Sequence, residues 1–216
     1  MDKGQEALER LRIAALEGDM DNIGQITQNV LDAGVSAYDA VMKGIAEGLL
    51  IAGDKFEHKQ YFLSDLMVCA EATRTALQVL EPLLQADEGG YLGTVVIGVV
   101  EGDIHDIGES IVAAMLRSAG FKVYDIGVDV PSAQFVEKAK EVKADIVASG
   151  AFLSPVRPRQ KEIEDLLREA GIRDKVRTLI GGSVGSDGWA REIGADAFAP
   201  DAASAVKTAK ALIAGK

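Results

Sequence analysis

Residues 94–108 read TVVIGVVEGDIHDIG, and this stretch decides how the sequence folds. Residues 94–100 form an uncharged run that is rich in β-branched side chains, which predicts a strand. Residues 101–106 combine a glycine with charged side chains and predict a loop, and a helical pattern begins at Ile107. A strand that passes through a short loop into a helix is the repeating unit of parallel α/β sheets.

The same unit recurs through the second half of the chain. Further strands are predicted at Lys122–Ile126, Asp145–Ser149, Arg177–Ile180 and Ala197–Ala199, and helices at 107–119, 132–142, 158–170, 185–193 and 201–214. Alternating strands and helices indicate a parallel sheet with right-handed crossovers. Five such units predict a flavodoxin-like, doubly wound, five-stranded α/β domain. Ligands of these sheets bind beyond the carboxyl ends of the strands, so the loop after Val100 is the expected site.

The first half of the chain predicts helices alone. Ala, Leu, Glu and Met dominate residues 1–86, where Pro82 is the only proline. Apolar residues at helical spacing mark segments at 3–18, 20–33, 36–56 and 62–86. Four helices joined by short turns predict a four-helix bundle. Residues 87–92 predict a linker, and we expect a helical domain at 1–88 and the α/β domain at 89–216.

The charge and composition of the chain argue against several classes of protein. The formal net charge of −11 repels phosphate backbones and anionic lipid, so neither nucleic acid nor a membrane is an expected partner. No apolar run reaches the length of a spanning helix, and the start of the chain does not resemble a signal peptide. The one cysteine, Cys69, cannot form an internal disulfide, so a cytoplasmic location is expected.

The loop after the first strand places one imidazole, His105, between the carboxylates of Asp103 and Asp106. Imidazole is a common metal ligand, and a carboxylate on its second nitrogen fixes the tautomer. Either aspartate is a candidate for that carboxylate, and Gly102 and Gly108 allow a ligand to approach the backbone closely. A surface or capping pair is the alternative interpretation. Because no second group of ligands completes a zinc site, a metal bound here would take its other ligands from a cofactor.

Three ordered motifs resemble the cobalamin-binding domains of methionine synthases and of the small methyltransferase corrinoid proteins. The first is Asp103-x-His105-x-x-Gly108. The second is Gly150-Ala151-Phe152, where the family usually has Ser-x-Leu, and the third is the glycine pair Gly181-Gly182. Tyr61-Phe62-Leu63 and the amphipathic helix after it are similar to the helical cap that precedes this domain in the family. The resemblance covers nearly the whole chain.

The resemblance implies that the protein binds cobalamin, or another cobamide, with its nucleotide base displaced from the cobalt. His105 would be the lower ligand of the cobalt, Asp103 would hydrogen-bond its other nitrogen, and these two residues are the expected functional pair. The displaced nucleotide tail would enter a slot lined by Gly150, Gly181 and Gly182, although glycines at strand ends also serve turns. The expected cofactor contacts are Gly102, Asp103, His105, Asp106, Ile107, Gly108, Gly150, Phe152, Leu153, Ser154, Gly181, Gly182 and Ala202, with Glu47, Phe62 and Met67 in the cap.

The cap residues have a second interpretation. Phe62, Leu66 and Met67 are candidates to cover the upper face of the corrin ring, but a place in the bundle core explains them equally well. Glu47 is either a contact of the corrin edge or a solvated helix carboxylate. A hinge near Gly89-Gly90 would let the cap move aside for a partner.

Two positions depart from the family pattern. Gly150 replaces the usual serine, whose hydroxyl contacts the lower base, and Val156 stands where some methionine synthases have a serine that extends the Asp–His relay. We hypothesise that Gly150 leaves room for a different lower base. The relay is expected to end at Asp103 or to continue through water.

The resemblance favours a corrinoid methyl carrier, a non-catalytic component of a methyltransferase system in the one-carbon metabolism of an anaerobe. Expected partners are a donor-side methyltransferase, an acceptor-side methyltransferase and a reductive activase. Expected donors are methylamines, betaine, methanol or methoxyaromatic compounds, and expected acceptors are tetrahydrofolate or coenzyme M. A B12-binding subunit of an isomerase, a B12-dependent sensor and a flavodoxin-like protein without a corrinoid are the alternatives.

Overall fold

A computed structural model describes residues 3–84 and 91–215, and the chain divides into two compact units, Met1–Gln85 and Ala86–Lys216. The predicted domain boundary at 88/89 and the predicted hinge at Gly89-Gly90 lie outside the described residues. Within the described ranges, none of the helices combines the length and the apolar character that crossing a bilayer requires.

The first unit is a helical bundle. Helix α1 spans Lys3–Glu17 and α2 spans Ile23–Asp32. The third predicted helix is a continuous rod of α3 (Ala37–Asp39), a π-helical segment (Ala40–Ala46) and α4 (Glu47–Glu57). Helix α5 (Leu63–Leu80) completes the bundle and leads into a 3₁₀ turn at Glu81–Leu83. The predicted four-helix bundle is confirmed.

Two local features of the bundle depart from a regular helical pattern. Helix α5 was predicted to continue to residue 86, but its α-helical part ends at Leu80. Pro82 lies in the 3₁₀ turn and has no N–H to continue the α-helical hydrogen bonds. On the facing helices, Gly48 packs so closely on α1 that a Cβ there would lie 2.5 Å from the carbonyl oxygen of Arg12.

The second unit is a five-stranded parallel sheet in the order β2-β1-β3-β4-β5. The strands are β1 (Thr94–Val99), β2 (Lys122–Asp125), β3 (Ile146–Gly150), β4 (Arg177–Gly181) and β5 (Ala197–Phe198). The helices between and after them are α6 (Ile107–Ser118), α7 (Ser132–Val142), α8 (Pro158–Glu169), α9 (Asp187–Ile193) and α10 (Ala202–Ala214). This strand order confirms the predicted flavodoxin-like, doubly wound fold.

The strand order places the switch point between β1 and β3. The chain leaves β1 towards β2 on one side and later returns to form β3 on the other side, where Val99 and Gly150 pair in register. The loops that follow β1, β3, β4 and β5 therefore meet at one edge of the sheet, which we call the carboxyl edge. This edge holds the predicted motifs of the α/β domain.

The opposite edge, where the strands begin, is held together by ion pairs, and we call it the amino edge. The guanidinium of Arg173 donates to Glu164 Oε2 at 2.5 Å and lies 2.9 Å from Asp196 Oδ2. It also donates to Thr178 Oγ1 and to the carbonyl oxygen of Gly194. Side chains from α8, β4 and the start of β5 are thus tied together through one arginine.

Candidate functional site

The candidate site is built on the loop between β1 and α6, which carries His105. Asp103 is fully buried and its Oδ1 lies 2.6 Å from His105 Nδ1, whereas the His105 side chain is 57% exposed. Asp106 lies at the N-terminus of α6, where its side chain makes no capping hydrogen bond. Of the two candidate aspartates, the structure places Asp103 on the imidazole.

The protonation of this pair follows from its contacts. Burial by itself raises the pKa of Asp103, but hydrogen bonds from the His105 ring and from the Phe152 and His105 amides outweigh it, so the pKa lies below its ordinary value. An ionised carboxylate only accepts hydrogen bonds, so Nδ1 of His105 carries the proton it donates. Nε2 is then the ring nitrogen that can accept a ligand, on a side chain that is 57% exposed.

The second oxygen of Asp103 is occupied by the backbone that follows β3. The Phe152 amide donates to Asp103 Oδ2 at 2.7 Å, and the Phe152 carbonyl accepts from Ser183 Oγ at 2.9 Å. Val156 packs its methyl group against Gly102 instead, 3.0 Å from where a Cβ would lie. The Asp103 carboxylate thus bonds the His105 ring and two backbone amides, those of His105 and Phe152.

The ring of Phe152 explains two of the predicted glycines. A Cβ on Gly108 would lie 3.4 Å from Cε1 and Cζ of the ring, and a Cβ on Gly150 would lie 3.3 Å from Cε2. The ring centroid is 6.0 Å from that of His105. Gly108 and Gly150 therefore make room for an aromatic side chain that lies next to the imidazole.

The two glycines of the pair at the end of β4 differ in whether the surrounding structure has room for a side chain. Gly182 has a φ of +93°, and a Cβ on it would lie 1.9 Å from the Ala151 carbonyl oxygen, so the close approach of two loops requires glycine there. A Cβ on Gly181 would have ordinary contact, 3.6 Å from the Ala199 carbonyl oxygen. Protein packing accounts for Gly182 but leaves room for a side chain or a ligand at Gly181.

The other predicted contacts of this unit lie at the same carboxyl edge. Leu153 and Ser154 are exposed after β3, and Ser154 begins a 3₁₀ turn, Ser154–Val156. Ile107 is the first residue of α6, and Ala202 is the first residue of α10, behind Asp201. Ile104, beside His105, is 74% exposed. Ile104 and Leu153 are thus exposed apolar residues that neighbour His105 and Phe152 in the chain.

The predicted cap residues lie in the helical unit, described here by itself. Phe62 is 75% exposed and Met67 is 64% exposed, so neither belongs to the bundle core. The Phe62 amide donates to Asp65 Oδ2 at 2.7 Å, which fixes Phe62 at the start of α5. Glu47 is paired with Arg12, with 3.4 Å between Oε2 and Nη1.

Gln160 is a buried residue at this edge that the sequence interpretation missed. Its Nε2 donates to the carbonyl oxygens of Ser149 and Gly181, and its Oε1 accepts from Trp189 Nε1 at 3.0 Å. Gln160 therefore ties together the ends of β3 and β4. A polar residue on the same helical stripe as Ile163 was the available signal.

The site offers one coordinating nitrogen and no complete metal-binding cluster. Residues 3–84 and 91–215 contain no group of three or more His, Cys, Asp or Glu side chains that could hold a metal ion. An oriented imidazole with an outward nitrogen can complete the coordination of a metal whose other ligands come from a cofactor. The geometry therefore fits a metal-containing macrocycle better than an ion bound by the protein alone.

Comparisons with known proteins identify relatives along nearly the whole chain. Two family models, each described as a B12 binding domain, match residues 93–209 and 7–81. The trimethylamine corrinoid protein 1 of Methanosarcina acetivorans is 41% identical over 211 residues, which cover 97% of this chain and 98% of that protein. The structure of the Methanosarcina barkeri monomethylamine corrinoid protein matches with a TM-score of 0.85 and 38% identity, over 96% of this chain and 99% of that chain.

A more distant match is a chain of the methanol:cobalamin methyltransferase complex MtaBC from Methanosarcina barkeri. It has a TM-score of 0.56 and 28% identity, over 98% of this chain and 81% of that chain.

Proposed function

This chain belongs to the B12-binding methyltransferase corrinoid proteins, and we propose that it is a methyl carrier that binds a cobamide through His105. The observation that carries the proposal is the oriented imidazole, because buried Asp103 holds Nδ1 and leaves Nε2 facing outward. The bound cobalt would supply the chemistry, since it accepts a methyl group from one partner and gives it up to another.

The residues around His105 suit the flat, largely apolar face of a corrin ring. Ile104 and Leu153, which neighbour His105 and Phe152 in the chain, are exposed apolar side chains, and a corrin ring that covered them would remove apolar surface from water. Asp103 would keep the proton on Nδ1 and hold the ring in the orientation that ligation needs. The Phe152 amide would keep Asp103 in place, so the ligand side chain is positioned through two successive hydrogen bonds.

We propose that the nucleotide tail lies at the carboxyl edge beside β3, β4 and the start of α10. Gly181 supports this placement because its missing side chain has no cause in the packing of the protein. Ser154 and Ala202 follow the neighbouring strands at the same edge and are proposed contacts. Gly102, Asp106 and Ile107 are proposed contacts from the His105 loop.

The lower base would meet a different surface from the one that the family pattern offers. Gly150 has no hydroxyl to contact it, and the Phe152 ring lies against the position where a side chain would start. We therefore propose that this protein binds cobamides with little dependence on a hydrogen bond from the base. Titration of the Gly150→Ser variant with cobamides that carry benzimidazole or phenol bases tests this proposal, and an unchanged base preference would contradict it.

The helical unit has an apolar surface of its own, and we propose that it shields the bound cofactor from water. Phe62 and Met67 support this proposal because they are largely exposed although they are apolar. Glu47 is proposed as a polar contact in the same unit; its pairing with Arg12 would compete with that role.

The proposed partners are a donor-side methyltransferase, an acceptor-side methyltransferase and a reductive activase. A methylamine is the favoured donor because the relatives named for methylamines are 38% and 41% identical, whereas the chain from the methanol complex is 28% identical. Tetrahydrofolate and coenzyme M both remain proposed acceptors. Methyl transfer assays with purified methylamine and methanol methyltransferases would separate the two donor classes.

The central experiment asks whether histidine ligates the cobalt. Protein labelled with ¹⁵N-histidine is loaded with hydroxocobalamin, reduced to the cobalt(II) form and examined by electron paramagnetic resonance. Labelling should change the nitrogen splitting, and His105→Ala should abolish this effect and weaken binding by at least about 100-fold, the upper end of the loss expected for an outer-shell partner.

The chain contains one other histidine, His58, which gives a matched control. His58→Ala should keep the label-dependent splitting and the affinity of the original protein. A splitting that does not respond to the label in the original protein would mean that the nucleotide base still occupies the cobalt, and the proposal would fail.

A further inference from the structure

The loop between β2 and α7 contains an aspartate in an unusual backbone conformation. Asp129 has a φ of +53°, in the left-handed region that residues with a Cβ seldom adopt. Aspartate tolerates this region better than most residues, but the conformation still requires contacts that hold it. Those contacts are made with the His105 loop.

Asp129 is joined to the His105 loop from both its side chain and its backbone. Its Oδ1 accepts from the Gly102 amide at 2.7 Å, and its own amide donates to the Asp103 carbonyl oxygen at 2.9 Å. The neighbouring Val130 forms an isolated parallel bridge with Val100. The segment that enters the His105 loop is thus held from Val100 to Asp103 by the loop after β2.

These contacts act on the residue that orients the imidazole. The side chain of Asp103 fixes His105, but a side chain can fix a partner only if its own backbone is held. The Asp103 backbone amide donates to Val100 within the loop, and its carbonyl accepts from Asp129. The loop from Gly102 to His105 contains no helix or strand of its own, so Asp129 supplies an external constraint.

We propose that Asp129 is a positioning residue for cobamide binding, because it lies in the loop after β2 and holds the His105 loop in place. This inference rests on the proposed function of His105 as the cobalt ligand. The left-handed conformation of Asp129 directs its amide and its carboxylate towards the same loop, and both contacts depend on it.

Three substitutions separate the backbone conformation from the hydrogen bond. Asp129→Gly allows the positive φ but removes the side-chain oxygen that accepts from the Gly102 amide. Asp129→Asn retains a side-chain oxygen and tolerates the positive φ. Asp129→Ala removes the oxygen and also disfavours the positive φ. In the protein without cobamide, hydrogen exchange at the Gly102 amide should become several-fold faster in the Gly and Ala variants. Loaded with hydroxocobalamin, the Gly variant should bind about tenfold more weakly, the size of effect expected for an outer-shell contact, and the Asn variant should be restored to within about threefold.

The spectroscopic readout distinguishes positioning from general stability. In the cobalt(II) form, the splitting from ¹⁵N-histidine should weaken or broaden in Asp129→Gly and recover in Asp129→Asn. Lys143→Gly is the control, because Lys143 also has a φ of +53° but caps the end of α7. That variant should leave both the Gly102 exchange and the histidine splitting unchanged.

The possible failures are distinguishable. If the original protein shows no histidine splitting, the proposed function fails. If it shows the splitting and Asp129→Gly matches it in affinity, splitting and Gly102 exchange, the positioning role alone is wrong.

Discussion

The two edges of the sheet use buried carboxylates in opposite ways. At the amino edge, Asp196 and the buried Glu164 both pair with Arg173. Arg168 and Arg177 add one further ion pair each, so both carboxylates have cationic partners within the protein. At the carboxyl edge, Asp103 holds one nitrogen of His105 while the other faces outward. The first arrangement pairs its charges within the protein, whereas the second leaves one nitrogen of a largely exposed imidazole for the proposed ligand. An incompletely used polar group next to a buried partner is therefore the feature that distinguishes the functional edge.

The largest expected effect tests the amino edge. Arg173→Ala leaves Glu164 and Asp196 without their shared cation, and we expect the free energy of unfolding to fall by about 4 kcal/mol. Urea unfolding of the protein alone measures this change. Arg159→Ala removes an exposed arginine that pairs with Glu101 and Glu162, and should cost less than about 1 kcal/mol. Equal losses in both variants would show that the amino edge is not a special stabilising network.

The next prediction concerns a buried carboxyl group near the carboxyl edge. Burial, with a smaller contribution from nearby Asp125, raises the pKa of Glu109 to about 9. Because protonated Glu109 is favoured in the folded protein, its stabilising contribution is complete below about pH 4.5 and is lost as the pH rises towards 9. Glu109→Gln removes this loss, so the variant should be more stable, by about 3 kcal/mol near pH 7.

Unfolding measured from pH 5 to pH 9 checks this prediction, because the two stability curves should separate as the pH rises. Glu164→Gln is the matched control at the amino edge. Burial raises the pKa of Glu164 as well, but Arg173 and Arg168 oppose that rise, so Glu164→Gln removes two ion pairs and should not stabilise the protein. Parallel curves for Glu109→Gln and the original protein would contradict the assignment of a protonated Glu109.

A smaller effect is expected when an aspartate is replaced by asparagine at each edge of the sheet. Asp103→Asn loses the charge that holds Nδ1 of His105, and we expect hydroxocobalamin to bind about 10–100-fold more weakly. Asp196→Asn weakens the Arg173 network and should reduce stability without this loss of affinity. Titrations followed by visible absorption measure both variants. If the two variants lose affinity equally, the contrast between the edges is wrong.

The smallest expected effect is on Asp201, and it tests whether every residue of the carboxyl edge contributes to ligand binding. Asp201 Oδ1 accepts from the Ser204 amide at 2.7 Å and caps α10. Asp201→Ala should cost about 1 kcal/mol of stability and leave the affinity for hydroxocobalamin unchanged, while Asp201→Ser should recover much of the loss. A clear loss of affinity in the Ala variant would extend the functional surface to the loop after β5.

The order of helices and strands could be predicted from the sequence because hydrophobic periodicity is local. The five strand positions and the helices between them follow from short apolar runs and amphipathic segments, and the predicted elements differ from the observed ones mainly at their ends. The π-helical segment at Ala40–Ala46 was not predicted, since it continues the apolar spacing of a helix.

The candidate site was only partly readable for the same reason. The residue pattern around His105 identified the loop but left Asp103 and Asp106 as alternatives, and only the resemblance to the corrinoid proteins favoured Asp103. The choice depends on the Phe152 amide, 49 residues further along the chain, which binds the second oxygen of Asp103. Likewise, Asp129 contacts Gly102 across 27 residues and carries no signal in its own sequence neighbourhood.

The sequence by itself determined the helical first half, the doubly wound second half and the position of the histidine loop at a strand end, because each depends on neighbouring residues. Only the tertiary structure decided how the Asp103 carboxylate is itself held, that an aromatic ring occupies the space beside Gly108 and Gly150, and that the loop after β2 holds the His105 loop. These features are made by segments that meet at one edge of the sheet. Parallel strands bring such segments together in space while the intervening helices keep them far apart in sequence.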